Sequence, residues 1–402
     1  MSGSEPWLLP AGIEEILPEE AARLERARRL VIDLFSSWGY DLIVPPIIEF
    51  LSSLLTGTGS DLDLQTFKLT DQISGRLMGV RADMTPQAAR VDAHHLKRDI
   101  PVRLCYLGTV VHTRPDGLSG ARSFLQVGAE LYGHKGIESD VEILSLMLET
   151  LATVGVRGVH LDIGHVGIYR GLARQAGLSA EDETLLFDAL QRKARTEVDE
   201  LLRGWGIPGP LERMIGSLID LNGGAEVLPV ARNRLVEANA VVLGELECLD
   251  RLAAKLPQWI PDVPLHFDLA ELRGYGYHTG VVFSAFVAEH GQEIARGGRY
   301  DDIGKVFGRA RAATGFSTDL KTLVTLANEA DAPARARGGI IAPYAHEPEL
   351  LQQVRLLRAS GERVIYALPG QPAEAWELGC DRALQREGGL WVVKAVGYAS
   401  EG

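Results

Sequence analysis

The stretch Phe124-Leu125-Gln126-Val127-Gly128-Ala129-Glu130-Leu131-Tyr132 alternates in character with a period of two. In an extended strand that period puts Gln126, Gly128 and Glu130 on one face and Leu125, Val127, Ala129 and Leu131 on the other. The apolar face seeks a core. The polar face offers an amide, an acid and the room beside a glycine, either to water or to a small ligand whose amine and amide-recognising groups fit Glu130 and Gln126. For an isolated strand a solvated sheet face is the simpler reading, so the neighbouring segments have to distinguish the two.

Those neighbours are strands and turns. Residues 104–111 precede it, and residues 66–70 and 77–81 flank a turn at Ser74-Gly75, a spacing that predicts an antiparallel meander. Helices are expected over 85–97 and 137–154, and a strand over 159–163. Further upstream, apolar residues recur at helical spacing over 18–38, with Pro18, Glu19 and Glu20 suited to a first turn and Gly39 to a stop. The β-type run 40–48 contains Pro45 and Pro46, which cannot donate to a ladder, so it belongs at a sheet edge or end. Over 167–257 only helical patterns occur, as in an insertion, with a capping signal from Ser179 to Asp182. Strand texture returns at 265–269, 281–286 and 293–295. Behind an Ala/Arg/Pro-rich linker at 331–337, the segments 339–344, 349–359, 364–368, 373–386 and 390–396 predict a β-α-β-α-β module. The expected class is therefore α+β: a core over residues 1–335 with a helical insertion at about 167–260, then a small α/β domain over 336–402.

The 402 residues carry 54 acidic and 41 basic side chains, a net charge of −13, with 46% hydrophobic and 24% charged residues. This composition suits a globular chain of two or three domains and excludes disordered and collagen-like classes. The acidic balance opposes a broad grip on nucleic acid, and no lysine-rich arm offsets it. Three separated cysteines, Cys105, Cys248 and Cys380, supply neither a disulfide framework nor a zinc knuckle. No apolar run approaches the roughly 18 residues needed to span a bilayer. Residues 1–12 show no signal-like pattern, so a cytoplasmic location is expected, with no membrane partner.

Three segments carry candidate chemistry. Arg81-Ala82-Asp83-Met84-Thr85-Pro86 sets an acid and a hydroxyl between a strand and a helix; Asp83 can receive an ammonium group, while Thr85 taken alone reads more simply as an N-cap. Arg273-Gly274-Tyr275-Gly276-Tyr277-His278-Thr279-Gly280 joins a guanidinium suited to a carboxylate with aromatics able to wall a pocket. Gly297-Gly298-Arg299-Tyr300-Asp301 reads as a close-approach turn in which Arg299 and Asp301 pair. His94-His95 face apart on a helix, so no metal is expected. Phosphate loops and a Gly-x-Ser-x-Gly elbow are missing, and no cofactor is expected.

In this order the segments resemble class II histidyl-tRNA synthetases over about residues 9–326: Leu17-Pro18 before the long helix, Pro45, Arg81 to Thr85, Tyr106-Leu107-Gly108 through Arg114-Pro115 to Gln126-Val127-Gly128-Ala129-Glu130, Arg273-Gly274, and Gly297 to Asp301. The resemblance implies a class II aminoacyl-tRNA synthetase-like antiparallel sheet with helices, a self-dimer through the first motif, and a histidine pocket. In that pocket Asp83 and Glu130 meet the amine, Gln126 and Thr85 lie beside it, and Arg114, Arg273, Tyr277 and His278 complete it.

The departures from the family's pattern bear on activity. His112 stands in a shortened second motif where the family carries an arginine for the ATP α-phosphate. A neutral imidazole is a poor substitute for a permanent cation. In place of Gly-Leu-Glu-Arg the third motif reads Asp319-Leu320-Lys321-Thr322, so Thr322 takes the arginine's position and Asp319 adds negative charge where triphosphate would lie. Like charges in a partly dry site cost several kcal/mol. The family's Arg-Gly-Leu-Asp-Tyr-Tyr has become Arg-Gly-Tyr-Gly-Tyr-His, losing the acid that reads the imidazole and leaving Tyr275 or His278 to supply replacement contacts. A chain with these losses and a reduced anticodon-reading domain resembles the ATP phosphoribosyltransferase regulatory subunits. That resemblance implies a non-catalytic subunit of a hetero-octamer with the short-form catalytic phosphoribosyltransferase, activating it and binding histidine as the feedback effector, with no nucleic-acid partner. The alternative is a histidine-activating aminoacyl-tRNA synthetase or related ligase.

Overall fold

Pro18 in the first turn, followed by two acids, starts helix α1 (Pro18–Ser37), which buries Ala27, Val31 and Phe35 along one stripe. The computed structural model describes residues 7–56, 60–115, 120–272, 274, 276–327, 338–370, 374–375 and 377–396. The chain divides into two units, Met1–Asn328 and Glu329–Gly402. After α1 the first unit continues through β1 (Asp41–Leu42), β2 (Ile48–Phe50), α2 (Leu51–Leu54), α3 (Ser60–Gln65), β3 (Phe67–Thr70), β4 (Leu77–Val80) and α4 (Thr85–Arg90). Two long strands follow, β5 (Val102–Val111) and β6 (Ser123–Tyr132), then α5 (Ile137–Val154) and β7 (His160–His165). The insertion holds α6 (Val166–Gln175), α7 (Ala180–Gln191), α8 (Arg195–Gly204), α9 (Gly209–Ser217), β8 (Asn222–Gly223), α10 (Val227–Arg234) and α11 (Ala240–Trp259). Strands β9 (Leu265–Asp268), β10 (Val281–Phe286), β11 (Ala295–Arg299) and β12 (Ala313–Asp319) lead into α12 (Leu320–Leu326).

Nine of these strands form one sheet in the order β1-β5-β6-β12-β11-β10-β7-β9-β8. It is antiparallel except at β1–β5 and β7–β9, and with its helices it gives the expected α+β class. Val127, Ala129 and Leu131 of β6 join Val31 and Phe35 of α1 and Leu144 and Met147 of α5 in one buried cluster. That leaves the face bearing Gln126 and Glu130 for the site. Among the described residues no helix is long and apolar enough to cross a membrane.

Several local expectations are corrected. The run 40–48 splits at Pro45 and Pro46: β1 before them lies at the outer edge of the large sheet, and β2 after them joins β4 and β3 in a separate three-stranded sheet, again at its edge. The helix expected over 85–97 changes at Val91–Leu96 into a π-helical turn, where Asp92 pairs with Arg311 at 2.7 Å. The helices-only insertion also contains β8, which pairs with the end of β9. Ser179 does cap α7, accepting the Asp182 N–H at 3.1 Å. The segment read as a turn at 297–301 begins as the end of β11, and Arg299 spends its guanidinium on Asp140, at 2.8 Å, in preference to Asp301 at 3.4 Å.

In the second unit, β13 (Gly339–Pro343), α13 (Pro348–Ala359), β14 (Val364–Ala367), β15 (Cys380–Glu387) and β16 (Leu390–Ala395) make a four-stranded sheet in the order β14-β13-β15-β16 with one helix. The helix expected over 373–386 is therefore a strand from Cys380 onward. Gly388 and Gly389, at φ 56° and 84°, form the two-residue turn that pairs Glu387 with Leu390, and such turns demand positive φ at both positions. Residues 371–373 and 376, and the linker expected at 331–337, lie outside the described residues.

Candidate functional site

A cavity of about 510 Å³ opens over the polar face of the nine-stranded sheet. Its floor follows from strand register: Glu130 of β6 lies opposite Leu104 of β5 and Gly315 of β12, and Gly128 lies between Tyr106 and Ser317. The room expected beside Gly128 is taken by the Tyr106 ring, since a Cβ there would sit 2.6 Å from the phenol oxygen. A Cβ at Gly315 would collide with Glu130 Oε2. Replacing Gly315 with alanine is accordingly expected to cost about 1–3 kcal/mol of stability, as overpacking of a dense interior does. Urea unfolding measures it, and an unchanged midpoint would show that the carboxyl swings clear.

Glu130 is fully buried, and both its oxygens accept phenol protons, Oε1 from Tyr106 at 2.9 Å and Oε2 from Tyr300. Burial pushes its carboxyl up to about 8, against the pull of the two phenols. Because Tyr106 gives its proton to Glu130, the hydroxyl of Thr85, 3.0 Å from the same phenol oxygen, must donate to it. Thr85 is the first residue of α4 rather than its cap, and no side chain caps this helix. Asp83 accepts the Thr85 N–H at 3.1 Å, and it also accepts the Gln126 amide at 2.7 Å. Gln126 in turn accepts the Met84 N–H at 2.9 Å. Asp83 is thereby held at the cavity wall while Glu130 closes its depth. Tyr277 and His278 line another side, their rings 4.1 Å apart, with Tyr277 6.2 Å from Tyr300.

The structure thus brings Asp83, Thr85, Gln126, Glu130, Tyr277 and His278 to one cavity. Arg114 is exposed and is not part of its lining, and Arg273 and Tyr275 lie outside the described residues. Sequence reasoning missed Tyr106 and Tyr300. Tyr106 was within reach, because alternation in β5 places it on the face of Gly108, whereas the bond between Tyr300 and Glu130 joins residues 170 apart with no local signal.

The outer part of the cavity is lined by His112, Asp319 and Thr322. His112 donates from Nε2 to the Ala82 carbonyl at 2.9 Å, since a carbonyl only accepts, and this leaves its Nδ1 a buried acceptor. Asp319 accepts the Thr322 hydroxyl at 2.8 Å and the Leu125 N–H at 2.8 Å. Among the described residues Arg296 is the one arginine or lysine in the lining, and Glu293 pairs with it at 2.9 Å. Four acids against one committed guanidinium make this a site for donors and cations, unsuited to a triphosphate.

A largely antiparallel sheet whose polar face carries an acid-floored cavity defines a class II synthetase-like core. The histidyl-tRNA synthetase family profile matches residues 12–323, and that of the ATP phosphoribosyltransferase subunit HisZ C-terminal domain matches 337–394. The ATP phosphoribosyltransferase regulatory subunit of Thioalkalivibrio sulfidiphilus is 59% identical over 96% of this chain and 98% of its own length, and that of Pseudomonas fluorescens is 59% identical over 98% and 100%. The chain belongs to the family of ATP phosphoribosyltransferase regulatory subunits. In structure it is similar to an ATP phosphoribosyltransferase regulatory subunit/histidyl-tRNA synthetase of Bacillus halodurans, with TM-score 0.82 and 27% identity over 95% of this chain and 99% of the other. In fold alone it also matches a Nostoc histidyl-tRNA synthetase, with TM-score 0.76 and 18% identity over 98% and 97%.

Proposed function

We propose that this regulatory subunit is non-catalytic and senses histidine: it joins the short-form catalytic ATP phosphoribosyltransferase, activates it, and passes on feedback inhibition when histidine occupies the cavity. Within this reading the assembly is a cytoplasmic hetero-octamer, and the subunit dimerises through its synthetase-like core. Asp83 takes the ligand's ammonium, Glu130 accepts an N–H at the floor, and Gln126, Thr85, Tyr277 and His278 enclose it. The observation that carries the reading is the pairing of an intact acid-lined pocket with Asp319 and Thr322 bonded to each other where an ATP clamp would need cations. Histidine would act by binding one state of the assembly better than the other, and its leverage is limited to that difference in affinity.

Two measurements test the proposal. Mixing the chain with the catalytic subunit should raise phosphoribosyltransferase activity, and histidine should then suppress it. Histidine-dependent exchange of pyrophosphate into ATP should be undetectable for the chain alone, because each missing phosphate contact costs a preorganised charge; robust exchange would make it a ligase.

A further inference from the structure

The connection from β9 to β10 carries Tyr277 and His278 into the cavity, and residues of the helical insertion hold it at both ends. At its start, Lys193 bonds Asp268 at 2.7 Å, the Leu221 carbonyl accepts the Leu269 N–H at 3.0 Å, and β8 pairs with Asp268. At its end, the first N–H of α6, that of Val166, donates to the Gly280 carbonyl at 3.1 Å, satisfying one of the donors a helix start leaves open. One turn further along the same helix face, Arg170 donates to the His278 carbonyl at 3.1 Å. Neither Arg170 nor Lys193 lines the cavity.

We infer that the insertion is the frame of the effector pocket: Arg170 and Lys193 are positioning residues that hold the Tyr277-His278 segment in its ligand-ready shape and thereby set the affinity for histidine. The inference rests on the histidine reading proposed above. Tyr277 and His278 also donate their N–H groups to the Gly274 carbonyl, at 3.0 and 2.9 Å, and the Thr279 N–H bonds the Arg299 carbonyl at 2.7 Å, so the Arg170 bond to the His278 carbonyl is what ties this otherwise self-bonded segment to the insertion and fixes its tilt. Movement of the insertion would alter the pocket, and by reciprocity occupancy would alter the insertion.

The experiment is calorimetric titration of histidine into the full chain, with thermal unfolding of each variant. Arg170→Met and Lys193→Met should each weaken binding at least tenfold, and Arg170→Lys, which keeps one donor for the carbonyl, should recover most of the loss. Arg232→Met removes an insertion arginine that pairs with Asp250 of α11 instead, and it should bind as the wild type does. Wild-type affinity in Arg170→Met, no recovery in Arg170→Lys, or an equal loss in Arg232→Met would overturn the inference. Should Arg170→Met fail to fold, Lys193→Met decides, since the Lys193 side chain is 44% exposed and belongs to no buried cluster. Absence of histidine binding by the wild type would instead sink the reading of the site itself, so the two failures are distinguishable.

Discussion

Replacing Glu130 with alanine is expected to abolish histidine inhibition of the reconstituted complex while leaving assembly with the catalytic subunit intact. The carboxylate is buried at the end of the cavity, so a ligand N–H that points there has no water to fall back on. A ligand N–H there draws the carboxyl into its ionised form, and a hydrogen bond to a charged group contributes about 1.5–3 kcal/mol. Its loss alone weakens binding roughly ten- to hundredfold. The truncation also strands the hydroxyls of Tyr106 and Tyr300, both of which donate to Glu130, and the rearrangement of two buried phenols closes the space the ligand needs. Inhibition curves with and without the substitution, alongside gel filtration of the complex, read the two consequences separately. Unchanged inhibition would mean that histidine binds elsewhere, and loss of the complex would mean that Glu130 serves the fold more than the effector.

Much of this site is legible in the chain because strands report their faces with a period of two. Gln126, Gly128 and Glu130 declare a polar face without knowledge of their neighbours, and Asp83 and Thr85 fall at the junction of a strand and a helix where a ligand can reach them. What alternation cannot supply is the third dimension across strands. Gly315 looks like any small residue of β12 until register sets it against the Glu130 carboxyl, and Arg299 looks tied to its near neighbour Asp301 until α5 brings Asp140 beside it. Thr85 misleads for a different reason: caps are inferred from residue type, and here Thr85 is already the first residue of the helix, its own N–H taken by the acid two positions earlier and its hydroxyl turned to Tyr106. In the second unit the alternation of elements predicts a helix over 373–386, whereas the Gly388-Gly389 turn, which needs two positive φ angles, is the stronger local constraint and makes Cys380–Glu387 a strand. The family motifs were legible for the same reason as the faces, since each is a short run whose residues act together.

Stability is expected to fall as pH rises from about 5 to 8, and the Glu130→Gln variant should lack that part of the decline. The folded carboxyl holds its proton up to about 8, whereas its ordinary value is 4.5. Between those values the native state carries one proton more than the unfolded chain, and stability must decrease with pH wherever the native state binds more protons. Below 4.5 both states are protonated, and above 8 neither is, so the contribution of this group is confined to that window. Its full span is on the order of 5 kcal/mol. Urea unfolding of the wild type and of Glu130→Gln at a series of pH values reads it as a converging or diverging pair of curves; parallel curves would show that Glu130 is ionised throughout. The same proton couples to the effector. A ligand group that donates to Glu130 favours its ionised form, so at pH 7 histidine binding should release protons from the raised carboxyl. Affinity should then rise with pH toward about 8, beyond which the ligand's own ammonium begins to lose the proton that Asp83 recognises, and the heat of binding should depend on the ionisation heat of the buffer. A buffer-independent heat would mean that histidine leaves the protonation of Glu130 unchanged, and recognition of its charge would then fall to Asp83.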